Sequence, residues 1–289
     1  MSGGNNVATL LLALSGAARS NGVINAGYIC YMTMHRTYHA IFHGRKYYLA
    51  LQVIAAGALR CLFIFIPFIA FQAYGYYNIC MGSDQMRPWC KARLPLLYNY
   101  IQSHYWRVGF LRYFQLKQLP NFFLASPILS LAICSIIHYI KLQPQILLSL
   151  GFQSLLDEDK SSVLVGFPSG TDVRAKEGHA FRRRKQGLKR DNPVTHPLVN
   201  DSVNKSGYLS ATILPFILHL GFMAATAFFV VHVQVATRFL SASPPLYWFA
   251  SQLMVSSKIS KRWGYLIWAY CAAYLLLGSL LFSNFYPFT

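Results

Sequence analysis

The chain has 289 residues, of which 55% are hydrophobic and only 12% are charged. Soluble domains carry about 25% charged residues, so this composition excludes an ordinary water-soluble globular domain. The formal net charge of +18 raises the question of nucleic-acid binding. Seven of the eight acidic residues, however, lie between Asp157 and Asp201, interleaved with basic residues around the cluster Arg182–Lys185. Such a cluster beside membrane spans is typical of a cytosolic loop near anionic lipid, and no nucleic-acid motif accompanies it. We therefore expect an integral membrane protein with no nucleic-acid partner.

The N-terminal part of the chain has the pattern of a helical hairpin. Val7–Ala18 is apolar but shorter than the roughly 20 residues that span a bilayer. The polar segment Arg19–Gly22 follows it, and a second apolar run extends to Met34. The first residues have no basic region and no cleavage site of a signal peptide. This pattern resembles the middle of a protein, so we expect a further segment upstream.

Four later stretches are long and apolar enough to span a bilayer. They are Tyr48–Phe71, Asn121–Ile140, Leu209–Val231 and Gly264–Phe282. They predict an all-α, polytopic integral membrane protein. Arg60 lies near the middle of the first stretch. It is either a functional charge or a residue that faces a neighbouring helix or a wet cavity, unless the span begins later.

Basic loops near the spans set the orientation of a membrane protein. His35–Lys46 and Asp157–Lys205 are both basic, and two predicted spans separate them. Placing both in the cytosol puts Gln72–Pro120 in the lumen. The sequence then divides into residues 1–156 with the lumenal loop 72–120, a basic cytosolic loop at 157–208 predicted to be disordered, and C-terminal spans at 209–289.

The same orientation returns the C-terminus to the cytosol and leaves one conflict. Lys258, Lys261 and Arg262 would be lumenal, which the rule disfavours. The alternative is a re-entrant or interfacial segment around Leu246–Val255.

The six cysteines show no metal-ligand spacing, so we expect no metal site. Four of them lie in apolar runs, where a thiol behaves as a small hydrophobe. Cys80 and Cys90 instead lie in the loop after the first span. If that loop is lumenal, these two can form a disulfide across the turn at Arg87-Pro88-Trp89.

The predicted lumenal loop is rich in Tyr and Trp and also contains Gln, Asn and Arg. Aromatic faces stack on sugars, while amides and guanidinium groups hydrogen-bond hydroxyls or phosphate. Composition alone leaves two interpretations open. The loop is either a binding surface for a glycosylated lipid or an aromatic belt at the bilayer interface.

A series of motifs in a fixed order narrows this choice. In the loop they are Phe71-Gln72-Ala73-Tyr74, Pro88-Trp89-Cys90, Tyr98-Asn99-Tyr100-Ile101-Gln102, Tyr105–Tyr113 and Gln118–Phe122; elsewhere they are Arg19–Gly22, His232–Val235, Thr237–Phe239, Tyr247–Phe249 and Asn284–Thr289. Together they resemble the family of second mannosyltransferases of GPI-anchor biosynthesis. The resemblance covers most of the chain outside Asp157–Lys205.

The resemblance implies the C-terminal part of a GT-C type membrane glycosyltransferase in the endoplasmic-reticulum membrane. Members of this family transfer mannose from dolichol-phosphate-mannose to the GPI lipid acceptor and form an α-1,6 linkage. The implied partners are this donor, this acceptor and the lipid bilayer, and an accessory membrane subunit is left open. No soluble cofactor is expected.

This sequence departs from the family at the catalytic base. The family has several spans and an acidic lumenal loop before the Arg-Ser-Asn-Gly motif, which here begins at Arg19. The catalytic residue is therefore unknown, and Asp84 as a substitute base is a hypothesis. We interpret the chain as N-terminally truncated and inactive alone. The alternative is a non-catalytic membrane subunit or regulator; a small transporter is disfavoured, because the spans hold few paired charges and no inverted repeat.

Candidate substrate-binding residues follow from the polar side chains within the motifs. Arg112 is the preferred phosphate contact, because guanidinium binds phosphate bidentately, whereas Arg107 is interpreted as a surface charge. The predicted substrate-binding residues are Gln72, Gln102, Trp106, Arg112, Tyr113, Asn121, His232, Gln234 and Arg238. The last three follow a long apolar span, so they either line a lumenal cavity or anchor the helix end.

Overall fold

A computed structural model describes residues 2–81, 87–152, 210–255 and 261–283. Within these ranges the secondary structure is helical, as the sequence predicts, and contains no strand. The helices are α1 (Ser2–Ala18), α2 (Ala26–Phe42), α3 (Tyr47–Cys80), α4 (Leu97–His104), α5 (Leu119–Leu142), α6 (Pro144–Leu148), α7 (Leu214–Phe229), α8 (Ala236–Leu240), α9 (Pro244–Val255) and α10 (Lys261–Ser283). The basic cluster and Asp84 fall outside the described residues, as do the two glycosylation sequons Asn200-Asp201-Ser202 and Asn204-Lys205-Ser206.

Four segments among the described residues are long and apolar enough to cross a membrane. They are Tyr47–Cys80, Leu116–Leu142, Ala211–Phe229 and Arg262–Leu280. Each overlaps one of the four predicted spans, which confirms those predictions. The first segment extends further than predicted, because α3 continues as a helix through Gln72 to Cys80. At 1.5 Å per residue its 34 residues reach about 51 Å, well beyond a hydrocarbon core of about 30 Å.

The predicted N-terminal hairpin is present. α1 and α2 are joined by a short 3-10 turn at Ser20–Asn25, and both helices pack on α3. Gly22 lies so close to Ser15 and Gly16 that a side chain at this position would overlap their backbone atoms. The Arg60 guanidinium lies 3.5 Å from Oδ1 of Asn6 on α1. This contact supports the interpretation that Arg60 faces a neighbouring helix.

The second half of the fold is a packed group formed by α5, α7, α8 and α9. Its core contains Ala125, Leu129, Ala132, Leu220, Met223, Ala224, Ala227, Val233, Ala236, Leu240 and Leu246. Five of these residues are alanines, which let helix backbones approach closely where the solvent is lipid and the hydrophobic effect does not drive helix association.

We call the end of the bundle that carries α4 and residues 105–118 the loop end, and the other the opposite end. The segment from Val233 to Val255 runs between them as two helices, α8 and α9, interrupted before Pro244. It starts at the loop end, where His232 contacts Trp106. It finishes at the opposite end, where Phe249 packs on His138 near the end of α5, with ring centroids 5.3 Å apart.

α10 then returns towards the loop end. Gly264 lies beside Met254, and ten residues later the Tyr274 hydroxyl donates to Oγ1 of Thr237 on α8 at 3.1 Å. The residues from 233 to 255 therefore form a further segment between the long helices, at the place where the sequence left a re-entrant or interfacial segment as the alternative. Arg262 consequently shares an end with the basic segment His35–Lys46, as the positive-inside rule requires. The return of the C-terminus to the cytosol stays a prediction.

Candidate functional site

A cavity of about 600 Å³ opens at the loop end of the bundle. Residues from the hairpin turn, α3, α4, α7 and the segment around α8 form its wall, together with residues of the loop 105–118, which we call the aromatic loop. They are Arg19, Ser20, Asn21, Val23, Ile24, Phe68, Tyr98, Asn99, Gln102, Trp106, Val108, Thr226, Val231, His232, Val235, Arg238 and Phe239. Five of the motifs, from three distant parts of the sequence, therefore meet around one space.

Hydrogen bonds join the hairpin turn to the other two walls. Nη1 of Arg19 donates to the backbone oxygen of Arg238 at 3.3 Å. The Ser20 hydroxyl donates to Oη of Tyr98 on α4 at 2.7 Å. α4 is in turn held against α3, where the backbone N–H of Tyr98 donates to Oε1 of Gln72 at 3.1 Å. Gln72 is buried, and its Nε2 has no hydrogen-bond partner among the described residues.

The aromatic loop is attached to the chain that follows α7. The N–H groups of Gly109 and Leu111 donate to Val230 and Phe229 at 3.1 and 2.7 Å. Nε2 of His232 contacts the backbone oxygen of Trp106. A carbonyl oxygen can only accept, so Nε2 carries the proton in this contact. These backbone partners fix the position of the wall independently of any ligand.

A second group of side chains packs against His232 and is joined by hydrogen bonds. The Tyr113 ring meets the His232 imidazole edge-on at 4.6 Å. Nδ2 of Asn121 donates to the Tyr113 hydroxyl at 2.8 Å and to Oε1 of Gln118 at 2.7 Å. Burial raises the pKa of Tyr113, although the hydrogen bond from Asn121 acts in the other direction. The phenol is therefore neutral at physiological pH and accepts this hydrogen bond.

The structure separates the predicted site residues into groups. Gln102, Trp106, His232 and Arg238 line the cavity. Gln72, Tyr113 and Asn121 support its walls.

Arg112 and Arg107 lie outside this lining. Arg112 is exposed and outside the lining, with its side chain lying over Gly109. Gln234 lies in a 3-10 turn within the same wall segment, but its side chain is outside the described structure. Arg107 borders a neighbouring cavity of about 380 Å³ that shares Trp106 and His232 with the first.

The residues of the site that the prediction missed include Arg19, Ser20 and Asn21 from the hairpin turn, and Asn99 from α4. The signal was present, because the Arg19–Gly22 motif is one of the family landmarks. The sequence did not show, however, that this motif lies close to the aromatic loop in the folded chain.

The charged side chains among the described residues that line the cavity are basic. Arg19 and Arg238 contribute two guanidinium groups to the cavity. The eight acidic residues of the chain all lie outside the described ranges, so no side-chain carboxylate faces these cations there. The described residues also contain no group of three or more His, Cys, Asp or Glu side chains that could hold a metal ion.

Comparison with known proteins defines the class. The model of the family "Mannosyltransferase (PIG-V)" matches residues 1–289, and the chain belongs to this family. It is 28% identical to mouse "GPI alpha-1,6-mannosyltransferase 2" over 85% of this chain and 46% of the relative. "GPI mannosyltransferase 2" of Drosophila melanogaster is 36% identical over 74% of this chain and 38% of that protein. The Aspergillus fumigatus protein of the same name is 26% identical over 97% of this chain and 54% of its own length.

The chain therefore spans about half the length of the relatives it matches. No solved structure matches it.

Proposed function

We propose that this chain is the substrate-facing part of an enzyme that transfers the second mannose of the GPI anchor. The donor is dolichol-phosphate-mannose, the acceptor is the mannosylated GPI lipid, and the new linkage is α-1,6. The family and the names of the relatives support the reaction class. The observation that carries the proposal is the cavity, where five family motifs from three distant parts of the chain meet.

The composition of the cavity wall suits a lipid-linked sugar. Asn21, Asn99 and Gln102 present amide groups that can donate to and accept from sugar hydroxyls, and Trp106 offers an aromatic face. Apolar residues of the same wall include Ile24 in the hairpin turn and Phe68 on α3, which is long and apolar enough to cross a membrane. A ligand with a polar head and an apolar chain matches both parts.

The transfer needs a base as well as a binding site. An acceptor hydroxyl oxygen attacks C1 of the donor mannose, its proton passes to the base, and the bond between C1 and the phosphate oxygen breaks. The leaving group is dolichyl phosphate. Because the described residues hold no side-chain carboxylate, we propose that the base lies outside them. Asp84 is the candidate within this sequence, and an acidic loop of a longer form is the other.

We further propose that the protein is a multi-pass component of the endoplasmic-reticulum membrane. The helices that are long and apolar enough to cross a membrane support this location, as do the names of the relatives. An accessory membrane subunit remains part of the proposal and is tested separately by co-purification.

A second candidate function is a non-catalytic subunit or regulator that holds the glycolipid without reacting. The amide, guanidinium and apolar groups of the cavity wall support binding of a glycolipid by themselves. Complementation separates the two candidates. Cells lacking the second GPI mannosyltransferase receive this chain, an upstream-extended version, or either one carrying Gln102→Ala, and surface GPI-anchored protein is counted.

Rescue by the extended version alone places the base upstream. Rescue by this chain shows that catalysis lies within the 289 residues, and Asp84→Asn in the rescuing version then tests Asp84. Gln102→Ala should reduce rescue about tenfold, since it removes hydrogen bonds to the substrate. Ser103→Ala, one position along the same helix on an exposed residue, is the matched control. Failure of every version to rescue contradicts the enzymatic proposal.

A further inference from the structure

Two arginines line the same cavity at the loop end. Arg19 directly follows α1, and Arg238 lies in α8, 219 residues later. Nη1 of Arg19 donates to the backbone oxygen of Arg238, so the guanidinium group of Arg19 lies close to the backbone of Arg238. A guanidinium group has five N–H donors, and this contact uses only one of them.

Both arginine side chains are exposed and line the same cavity. Two like charges at one cavity repel each other, and an anion that binds between them relieves this repulsion.

The remaining wall of the cavity limits which anion fits. Asn21 and Asn99 stand beside the arginines and suit hydroxyl groups, whereas Val23 and Val235 suit an apolar chain. An anion attached to both a polyol and a lipid meets all three environments. A phosphate ester has this position in a lipid-linked sugar, and guanidinium groups bind phosphate oxygens through paired hydrogen bonds.

We propose that Arg19 and Arg238 bind the phosphate group of a lipid-linked substrate. The inference rests on the proposed function, because that function supplies phosphate-bearing lipids. The phosphate is either that of the polyprenyl donor or that of the inositol phospholipid acceptor. If it is the donor phosphate, cleavage of the C1–O bond turns a diester into a monoester with an additional negative charge. The two guanidinium groups would stabilise that charge as it develops.

This assignment differs from the one that the sequence favoured. Arg112 was the preferred phosphate contact, yet it lies outside the cavity lining. Arg112→Gln is therefore measured in the same assay. It should weaken binding of the phosphate lipid if Arg112 is the phosphate contact, and leave binding unchanged if Arg19 and Arg238 hold the phosphate.

The test measures binding, so it does not depend on turnover. The 289-residue chain in phospholipid nanodiscs is titrated with dolichyl phosphate, with dolichol, which has the same chain but no phosphate, and with phosphatidylinositol. Arg19→Gln and Arg238→Gln should each weaken dolichyl phosphate binding about tenfold and leave dolichol binding unchanged. Arg19→Lys should restore only part of the affinity, because lysine keeps the charge and loses the planar fork. Arg93→Gln, which removes the same charge from an exposed residue outside the cavity, should have no effect.

Each outcome decides one part of the inference. A loss confined to phosphatidylinositol assigns the pair to the acceptor phosphate and leaves the phosphate site in place. Unchanged binding of both phosphate lipids in Arg19→Gln and Arg238→Gln overturns the inference, even where complementation succeeds. A specific loss of phosphate-lipid binding without rescue by any version keeps the phosphate site and removes the mannosyl transfer. Gel filtration and the retained Cys80–Cys90 bond establish that each variant is folded.

Discussion

The two ends of the helix bundle use the same kinds of polar side chain in different ways. At the opposite end, the Tyr31 hydroxyl and Nε2 of His35 both contact the backbone oxygen of Leu150, at 3.0 and 2.9 Å. The Tyr139 hydroxyl similarly donates to Ser210 at 3.1 Å. These side chains join segments of the chain, and their hydrogen-bonding groups are occupied by the protein itself.

The loop end has contacts of this type and an additional set of open groups. His232 holds the aromatic loop through the Trp106 carbonyl, as His35 holds Leu150. Asn99, Gln102 and Arg238, in contrast, project to a cavity. The difference teaches that an abundance of Tyr, His and Asn near a membrane surface does not by itself indicate a binding site. The site is where the remaining donors and acceptors face a shared space.

The largest expected effect concerns which compartment each end occupies. A glycosylation sequon appended after Thr289 should be glycosylated, because α10 returns to the loop end, which we assign to the lumen. The pair Lys91→Asn and Arg93→Ser, which creates an acceptor at exposed residues of the loop end, is the positive control. The measurement is an endoglycosidase-sensitive shift on a gel. A glycosylated loop control with a bare C-terminal sequon would show that the segment from 233 to 255 does not cross.

The next effect tests the hairpin that brings Arg19 to the loop end. Gly22→Val places side-chain atoms against the backbone of Ser15 and Gly16, which cannot move aside as a flexible side chain could. We expect a loss of about 3 kcal/mol or more of unfolding free energy, seen as loss of the monodisperse gel-filtration peak. Gly27→Ala is the control, since a Cβ there meets nothing within 4 Å. Equal behaviour of the two variants would mean that the turn is not closely packed.

A smaller effect concerns the disulfide at the loop end. Cys80 and Cys90 are bonded, as the sequence predicted for a lumenal loop. The bond joins the end of α3 to the turn that carries Trp89. The double change Cys80→Ser and Cys90→Ser should lower the unfolding free energy by about 2 kcal/mol, measured by thermal unfolding in detergent. Cys134→Ser, which removes a free exposed thiol, should leave it unchanged. Alkylation of Cys80 and Cys90 without prior reduction would contradict the pairing.

The smallest effect tests the opposite end. His35→Ala removes the hydrogen bond to Leu150 and a stacking contact with Phe152, whose ring centroid lies 4.3 Å away. We expect a loss of about 1 kcal/mol in stability and no change in phosphate-lipid binding. His43→Ala, at an exposed position near the end of the same helix, should change stability by less than about 0.5 kcal/mol. A marked loss of lipid binding in His35→Ala would remove the distinction between the two ends.

Prediction from the sequence succeeded where the signal is local. The four apolar spans and the cysteine pair each depend on a short stretch of chain, and the structure shows them. It left two alternatives open where a segment is assembled from short helices. α8 has five residues and α9 has 12, and both are shorter than a span. Only tertiary contacts, such as that of Phe249 with His138, show that the two helices together extend from the loop end to the opposite end.

The sequence by itself determined the class of the protein and the positions of its long membrane helices. Those properties follow from the composition of continuous segments and from motifs whose order can be read along the chain. Only the tertiary structure decided which motif residues share a site. Arg19 and Arg238 meet because α1 packs on α3 while α7 and α8 pack on α5, and such distant contacts depend on packing that no local pattern encodes. The same packing left Arg112 outside the cavity, although its neighbours in the sequence made it the stronger candidate.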